Sequence, residues 1–418
     1  MPAPPSAASS PTSASSAASD LSTPPPVIGF LGSSDHGEGR FYPAQPPHRS
    51  APAASAFAQA ADFTFSFLPD PSRWRVRDAR DGRILLARNG SSEGLVVYDP
   101  LHRQYVQIPP IPADLTAFAV PSGCVPGSLP LGIYHEPFLA PAGWEEESSL
   151  RVFCNVLSKT KIVTFVFSSV TLQWQAIASF GIVQSHGWVR LMRFPSFMKR
   201  HCAHGCFYWT EYSEEAMLVL DTLEMKFSIV GLPPGNFRRY KSIVEAAEGR
   251  LGLLTLAHCE LRLYVTKPRR DSGAGAEEWW YDGIIPLSNC YWSISSGGAP
   301  EGYVLLRGMT RDQHHSRKSP EEKPDVQYFT LQIKTMLLER LCVLKFEASV
   351  DFLYASFPPP LSPPKYMKWY ETSLVFLHSF DTNLFWLCDV WCAILYLFQN
   401  CILFFQSNYI FYATFLRS

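Results

Sequence analysis

Charge is scarce in this 418-residue sequence, at 17% charged side chains and a formal net charge of -1. A basic patch able to neutralise phosphates is missing, which argues against a nucleic-acid partner. Ten cysteines are present (Cys124, Cys154, Cys202, Cys206, Cys259, Cys290, Cys342, Cys388, Cys392 and Cys401), yet they show no regular pairing framework. A positive stretch followed by an apolar one is lacking at the N-terminus, so no secretory signal is read. The thiols are therefore expected to be reduced and the chain intracellular, in cytoplasm or nucleus. The sequence holds no phosphate-binding Walker loop, dinucleotide glycine fingerprint, His-Glu-x-x-His or Gly-x-Ser-x-Gly elbow. Long helical periodicities are few.

What is present is apolar and aromatic material, 47% and 14% of the residues. It is enough for one large repeat-built β domain or for two or three smaller ones. Residues 1–26 (MPAPPSAASSPTSASSAASDLSTPPP) are Pro, Ala, Ser and Thr with one charge, Asp20. They have too little apolar surface to offset ordering entropy, and disorder is expected. From 27 to 364 the chain reads as strands joined by turns. In "RILLARNGSSEGLVVYDPLHRQYVQIPP", Ile84–Ala87 and Leu95–Tyr98 are short apolar runs parted by Asn89-Gly90, a hairpin pair. Asp99-Pro100 opens a second turn. Tyr105–Ile108 then alternates, and Pro109-Pro110 ends the ladder. That predicts a three-stranded antiparallel meander.

The arrangement returns at Phe165–Phe167 with Trp174, at Leu218–Leu220 with Phe227, and at Phe329–Leu331 with Leu338. In each case two apolar positions lie seven apart: 98 and 105, 167 and 174, 220 and 227, 331 and 338. Constant spacing across a turn implies one repeated hairpin. Met225, Phe227 and Ile229 alternate with Lys226 and Ser228, which predicts a half-buried strand. Leu261–Thr266 with Trp279-Trp280 fills the longest gap. Strand repeats of about 40–50 residues suggest propeller blades, about five or six of them. The fold class is thus all-β, a propeller-like repeat of antiparallel meanders. Trp74, Leu85, Val97, Phe165, Trp174, Leu220, Phe227, Leu331 and Leu338 are its expected core.

The last segment, 365–418, changes character. Between Leu374 and Leu416 the formal charges are Asp381 and Asp389. Residues 390–415 are apolar enough to enter a bilayer, but Asp389 and Gln399-Asn400 weaken that reading, and a hydrophobic extension is favoured over an anchor.

Few residues offer chemistry. His201-Cys202-Ala203-His204-Gly205-Cys206 holds soft ligands, but a second ligand pair is lacking, so it reads as a polar loop entering the strand Phe207–Trp209. His314-His315 lies in a charged run and reads as a solvated loop. The acidic pairs Glu145-Glu146-Glu147, Glu214-Glu215 and Glu277-Glu278 are sequence neighbours, which a strand would point to opposite faces. Ser185-His186-Gly187-Trp188 lacks a nucleophile elbow. The aromatic clusters Phe207-Tyr208-Trp209, Trp279-Trp280-Tyr281 and Tyr291-Trp292 suit a stacking surface, but strand aromatics are more often core. Catalytic, metal and cofactor residues are therefore not assigned, and the residues that bind a partner are left open.

The stretch Pro26–Leu31, "RFYPA", "SRWRVRDARDGRILLARN" and "LVVYDPLHRQYVQIPP", with the later landmarks "HGCFYWTE", "MLVLDTLEMKFSIVGLPPG" and "VQYFTLQIKTMLLERL", resembles the large grass family of plant F-box proteins. The resemblance covers roughly Pro24 to Pro364. It implies a non-enzymatic β domain that holds a protein destined for ubiquitination, on a chain whose F-box helices dock a cullin–RING ligase adaptor. Residues 1–26 contain one Leu, one Met and no aromatic, too little to form a docking face. This chain is expected not to join the ligase itself. A membrane-anchored scaffold and a glycan-binding propeller are the alternatives.

Overall fold

The computed structural model describes residues 25–33, 39–88, 94–119, 133–140, 150–158, 161–181, 199–210, 216–233, 241–257, 259–268, 278–288, 290–295, 302–310, 325–345, 351–356 and 361. The chain divides into two units, Met1–Leu361 and Ser362–Ser418, and all described residues lie in the first. Most of the Pro/Ala/Ser tract, the Asn89-Gly90 turn, Glu145–Glu147, Ser185–Trp188, Glu214-Glu215, His314-His315 and the 365–418 tail lie outside the described residues.

The chain begins with β1 (Val27–Ser33) and β2 (Gly39–Pro43), followed by α1 (Ala51–Ala60). Five four-stranded antiparallel meanders then succeed one another. Blade I is β3 (Trp74–Arg80), β4 (Arg83–Arg88), β5 (Leu95–Asp99) and β6 (Gln104–Ile108). Blade II is β7 (Tyr134–Leu139), β8 (Arg151–Leu157), β9 (Lys161–Ser168) and β10 (Gln173–Gly181). Blade III is β11 (Lys199–Ala203), β12 (Cys206–Thr210), β13 (Ala216–Asp221) and β14 (Lys226–Gly231). Blade IV is β15 (Lys241–Glu245), β16 (Arg250–Ala257), β17 (Glu260–Pro268) and β18 (Trp280–Pro286). Blade V is β19 (Cys290–Ile294), β20 (Tyr303–Thr310), β21 (Val326–Gln332) and β22 (Leu337–Leu344). The last strand, β23 (Asp351–Ala355), returns to pair with β1, giving the three-stranded blade VI in the order β2-β1-β23.

The sheets close a ring. β23 packs on β3, β3 on β7, β11 on β15, β15 on β20, and β22 on β2, while β10 meets β14. Each blade thus touches the next, and the first strands line the inside. The chain is an all-β, six-bladed β-propeller. Blade VI takes its inner strand from the C-terminal end of the described chain and its other two from the N-terminal end. α1 packs on β1 and β2 through Ala54 and Phe57, one turn apart, with Pro52 in its first turn.

The seven-residue spacing has a direct meaning. Tyr98 pairs with Tyr105, Phe167 with Trp174, Leu220 with Phe227, and Leu331 with Leu338. Each hairpin carries a left-handed residue five places after the first partner: Arg103, Leu172, Met225 and Met336. Asp99 accepts from the N–H groups of Leu101 and His102, and Asp221 from those of Leu223 and Glu224, so a side chain fixes each of these turns. The inner hairpins of blades I and III instead turn on Asp81-Gly82 and His204-Gly205, both residues at positive φ, which matches the twist of the flanking strands.

Middle strands are buried on both faces, so they read as continuous apolar runs. On β8, Val152, Cys154 and Val156 enter the seam with blade I, and Phe153 and Leu157 the seam with blade III. Burying each large side chain contributes about 1.5–3 kcal/mol. Of the nine expected core residues, eight are buried. Leu338 is half-buried, because β22 is the outer strand of its blade.

Three further readings are corrected. Each of blades I–V has four strands, not three. The extra one is the inner strand, whose polar sequence hides it. Met225 sits in the turn and Ile229 is exposed, because an outer strand covers only part of its length with a neighbour. Cys202 and His201 lie within β11 rather than in a loop, since a two-residue turn suffices to join β11 to β12.

Candidate functional site

The inner strands carry the polar groups, and these meet across the ring. A β-bulge at Arg77 breaks the register of β3 between Val76 and Asp78 and re-aims Asp78. Asp78 is buried. It accepts hydrogen bonds from the backbone N–H of Ala79 (3.0 Å) and of Leu139 (2.9 Å). Its Oδ2 also pairs with the Arg200 guanidinium at 3.1 Å. Arg200 is on β11 and Asp78 on β3, so this contact skips blade II and passes through the interior of the ring. Arg200 further donates to Glu136 Oε1 on β7 at 2.8 Å and lies over the Phe138 ring at 4.6 Å. Glu136 also receives Trp209 Nε1, at 2.9 Å to Oε2, and Asn155 Nδ2 at 3.2 Å. Asn155 in turn accepts the Thr164 hydroxyl at 2.7 Å. Both carboxylates are thus engaged on each oxygen.

Beyond Arg200 the character of the axis changes. Lys199 Nζ reaches the carbonyl of Ile294 on β19 at 3.4 Å, skipping blade IV. Arg307 is anchored next to it, its Nε donating to Ser293 Oγ at 3.0 Å. Lys241, on β15, is 4% exposed. Burial, reinforced by the charges of Arg307 and Lys241, pulls the Lys199 ammonium down to about 8. His201 sits between Thr210 Oγ1 (3.1 Å) and Ser242 Oγ (3.3 Å). Burial, then the charges of Lys199, Lys241 and Arg200, pushes its imidazole down to about 3, so it is neutral at pH 7.

A second feature lies on the outside. β18 exposes Trp280 (41%), Tyr281 (56%) and Ile284 (46%). The other outer strands of the four-stranded blades expose one large apolar side chain each, Tyr105, Ile229 and Leu337, or in β10 none. Tyr281 packs edge-on against Tyr264 at 5.8 Å, which fixes its ring. Trp279 Nε1 donates to the Gly231 carbonyl, tying the start of β18 to blade III.

The sequence-read candidates separate accordingly. Phe207, Tyr208, Trp209 and Trp292 are core, whereas Trp280, Tyr281 and Tyr291 are exposed, contrary to the core reading. Their strands lie at blade edges, where no further sheet covers one face. His204 donates its backbone N–H to Glu245 and places Nε2 3.0 Å from the Arg250 carbonyl, so it braces blade III on blade IV. Among the described residues no three His, Cys, Asp or Glu side chains come together as a metal site would require. The six described cysteines are free thiols. Among the described residues no helix is long and apolar enough to cross a membrane. Arg200, Glu136, Asp78, Lys199, Lys241 and Arg307 escaped sequence reasoning. The available signal was charge inside otherwise strand-like runs such as "RVRDAR", "YHEPFL" and "KRHCA".

No family model and no curated protein matches the chain. Solved propellers are similar in outline. YCF48 from Cyanidioschyzon merolae superposes at a TM-score of 0.37 and 11% identity, over 76% of this chain and 86% of that one. The WD40 domain of SCAP from fission yeast gives 0.29 and 10%, over 64% and 75%. A luciferin-regenerating enzyme gives 0.28 and 8%, over 66% and 78%. At these scores the propeller assignment rests on the strand order and the ring closure above.

Proposed function

We propose that the chain is a non-enzymatic, intracellular interaction propeller that holds a protein partner on the outer strand of blade IV. The observation that carries this reading is the exposure of Tyr281 and Ile284 on one face of β18, with Trp280 exposed on the other face of the same outer strand. Contiguous exposed apolar side chains mark interaction surfaces, and aromatics are enriched at their centres. The resemblance to the β domain of grass F-box proteins supports the same role, with the partner as a ubiquitination target.

The test is proximity labelling with the full chain, wild type against Trp280→Ala/Tyr281→Ala. Both side chains are about half exposed and Tyr281 packs on Tyr264, so thermal unfolding of the double variant is compared with wild type, and loss of specific neighbours by a folded variant reports binding. An unchanged set of neighbours sinks the reading. A pull-down of the full chain with the adaptor, beside an intact F-box protein as positive control, tests ligase docking separately from target binding. Exposed rings on one strand also suit sugar stacking. Binding on a glycan array that is lost in the same double variant would favour the lectin reading instead.

A further inference from the structure

The seam between blades IV and V sets two cysteines side by side. β18 ends at Pro286 and β19 begins at Cys290, the shortest step from one four-stranded blade to the next. To make it, the chain folds tightly past the start of β17. Leu287 donates its N–H to the Cys259 carbonyl at 2.7 Å, and Cys290 donates its N–H to the Ser288 carbonyl, also at 2.7 Å. Trp292 Nε1 donates to that same Ser288 carbonyl at 2.9 Å, which ties the step to blade V. Cys259 thereby lies against Cys290, its thiol donating to the Cys290 carbonyl with Sγ 3.9 Å from the oxygen. By ordinary bond lengths that oxygen is about 2.4 Å from its own Cα, so the Cys259 sulfur is within about 6 Å of the Cys290 Cα. The Ser288 hydroxyl meets Cys290 Sγ at 3.5 Å, at an exposed position. Cys259 and Cys290 are both half-buried, whereas Cys154, Cys206 and Cys342 are buried. A reagent in solution therefore reaches this pair before the thiols of the blade cores.

We propose that Cys259 and Cys290 close to a reversible disulfide when the chain meets hydrogen peroxide, and that this latch pins blade IV to blade V. One thiol takes an oxygen from the peroxide, becomes a sulfenic acid and releases water. The second sulfur attacks the first, and the hydroxyl leaves as a second water. Two thiols and one peroxide thus give one disulfide and two waters, with two electrons passing from sulfur to the peroxide oxygens. A dithiol reductant reverses the step by exchange. Rotation of both side chains about their Cα–Cβ bonds is the movement that brings the sulfurs to about 2.05 Å. The bond encloses β17 and β18 in one covalent loop, so the strand that exposes Trp280, Tyr281 and Ile284 is fastened to the neighbouring blade. A pair that is reduced at rest and linked under peroxide fits an intracellular chain, where disulfides are transient and redox-sensing. The chemistry of the pair stands independently of the partner proposed for β18.

The test uses the full chain, reduced, freed of reductant, exposed to hydrogen peroxide and then alkylated. Mass spectrometry of the non-reduced peptides is expected to find those of Cys259 and Cys290 linked, lighter by two hydrogens than their sum. Dithiothreitol should return them as separate peptides. Oxidation should also raise the unfolding temperature of the wild-type chain, because a cross-link restricts the unfolded state. That rise should be lost in Cys259→Ser and in Cys290→Ser. Trp280→Ala should link as the wild type does, which separates the latch from the partner surface. Recovery of both peptides singly alkylated, at a peroxide concentration that oxidises other thiols of the chain, overturns the proposal without recourse to any variant. So does pairing of either thiol with a different cysteine, or linkage with no rise in unfolding temperature.

Discussion

The two sides of the ring axis hold buried charge differently. Between blades I and III, β3, β7 and β11 bring Asp78, Glu136 and Arg200 into one paired network. Between blades III and V, β11 places Lys199 on the Ile294 carbonyl of β19, and β20 places Arg307 on the Ser293 hydroxyl. β11 serves both, with Lys199 and Arg200 adjacent in sequence and pointing to opposite neighbours, as strand residues must. The paired side is a clamp: each charge is satisfied, and removing one strands the others. On the other side Lys199 is buried against a neutral acceptor, the Ile294 carbonyl, and burial lowers its proton affinity.

The sharpest break of this contrast is Arg200→Ala. It leaves two sequestered carboxylates without their cation, and breaking such a pair costs about 3–5 kcal/mol. Urea unfolding of the two chains measures it. A loss below about 1 kcal/mol would mean that the network is not a clamp. Next is acid sensitivity. His201 binds its proton near pH 6.5 when unfolded, but only at about 3 when folded. Between those values the unfolded chain takes up the proton, so stability falls as pH drops from 6.5 toward 3. His201→Gln should lose less stability than wild type between pH 7 and pH 5, a comparison read by unfolding at the two pH values. Equal losses would place the imidazole in a less hostile field. The smallest effect is expected on the alkaline side. Lys199 releases its proton at about 8 in the folded chain, against an ordinary 10.5. Above pH 8 the unfolded chain holds the extra proton, so this group makes stability rise toward pH 10.5. Lys199→Gln should flatten that rise and match or exceed wild-type stability at pH 7. A destabilised variant would show that the bond from Lys199 to the Ile294 carbonyl outweighs the cost of burying its charge.

Much of the ring was legible in the sequence because turn geometry repeats. The seven-residue spacing is the distance between cross-strand partners around a four-residue turn, and apolar residues mark both partners in blades I, II, III and V. Blade IV lacks that mark: Tyr264 pairs with Tyr281 across a much longer connection. The inner strands were missed for a physical reason. Facing the axis, they carry Asp78, Glu136, Arg200 and Lys241, and apolar alternation cannot detect a strand whose task is to place charge. The count of about five or six blades holds, but blade VI was not located, because its pairing partners, β1 and β23, sit at opposite ends of the described chain. The exposed rings of β18 were assigned to the core since aromatic content alone does not say which strand of a sheet ends up outermost.

The closure of blade VI has a consequence for synthesis. Until Asp351–Ala355 has left the ribosome, β1 keeps one unpaired edge, and it is an edge of apolar residues, Val27, Ile28, Phe30 and Leu31. Such an edge invites pairing with any other extended chain. Five blades stack before the sixth exists, so the nascent protein is an open arc whose first strand waits for its last. A stop codon anywhere before β23 would leave that arc permanently ajar, and the product should accumulate as an aggregate rather than as a smaller propeller.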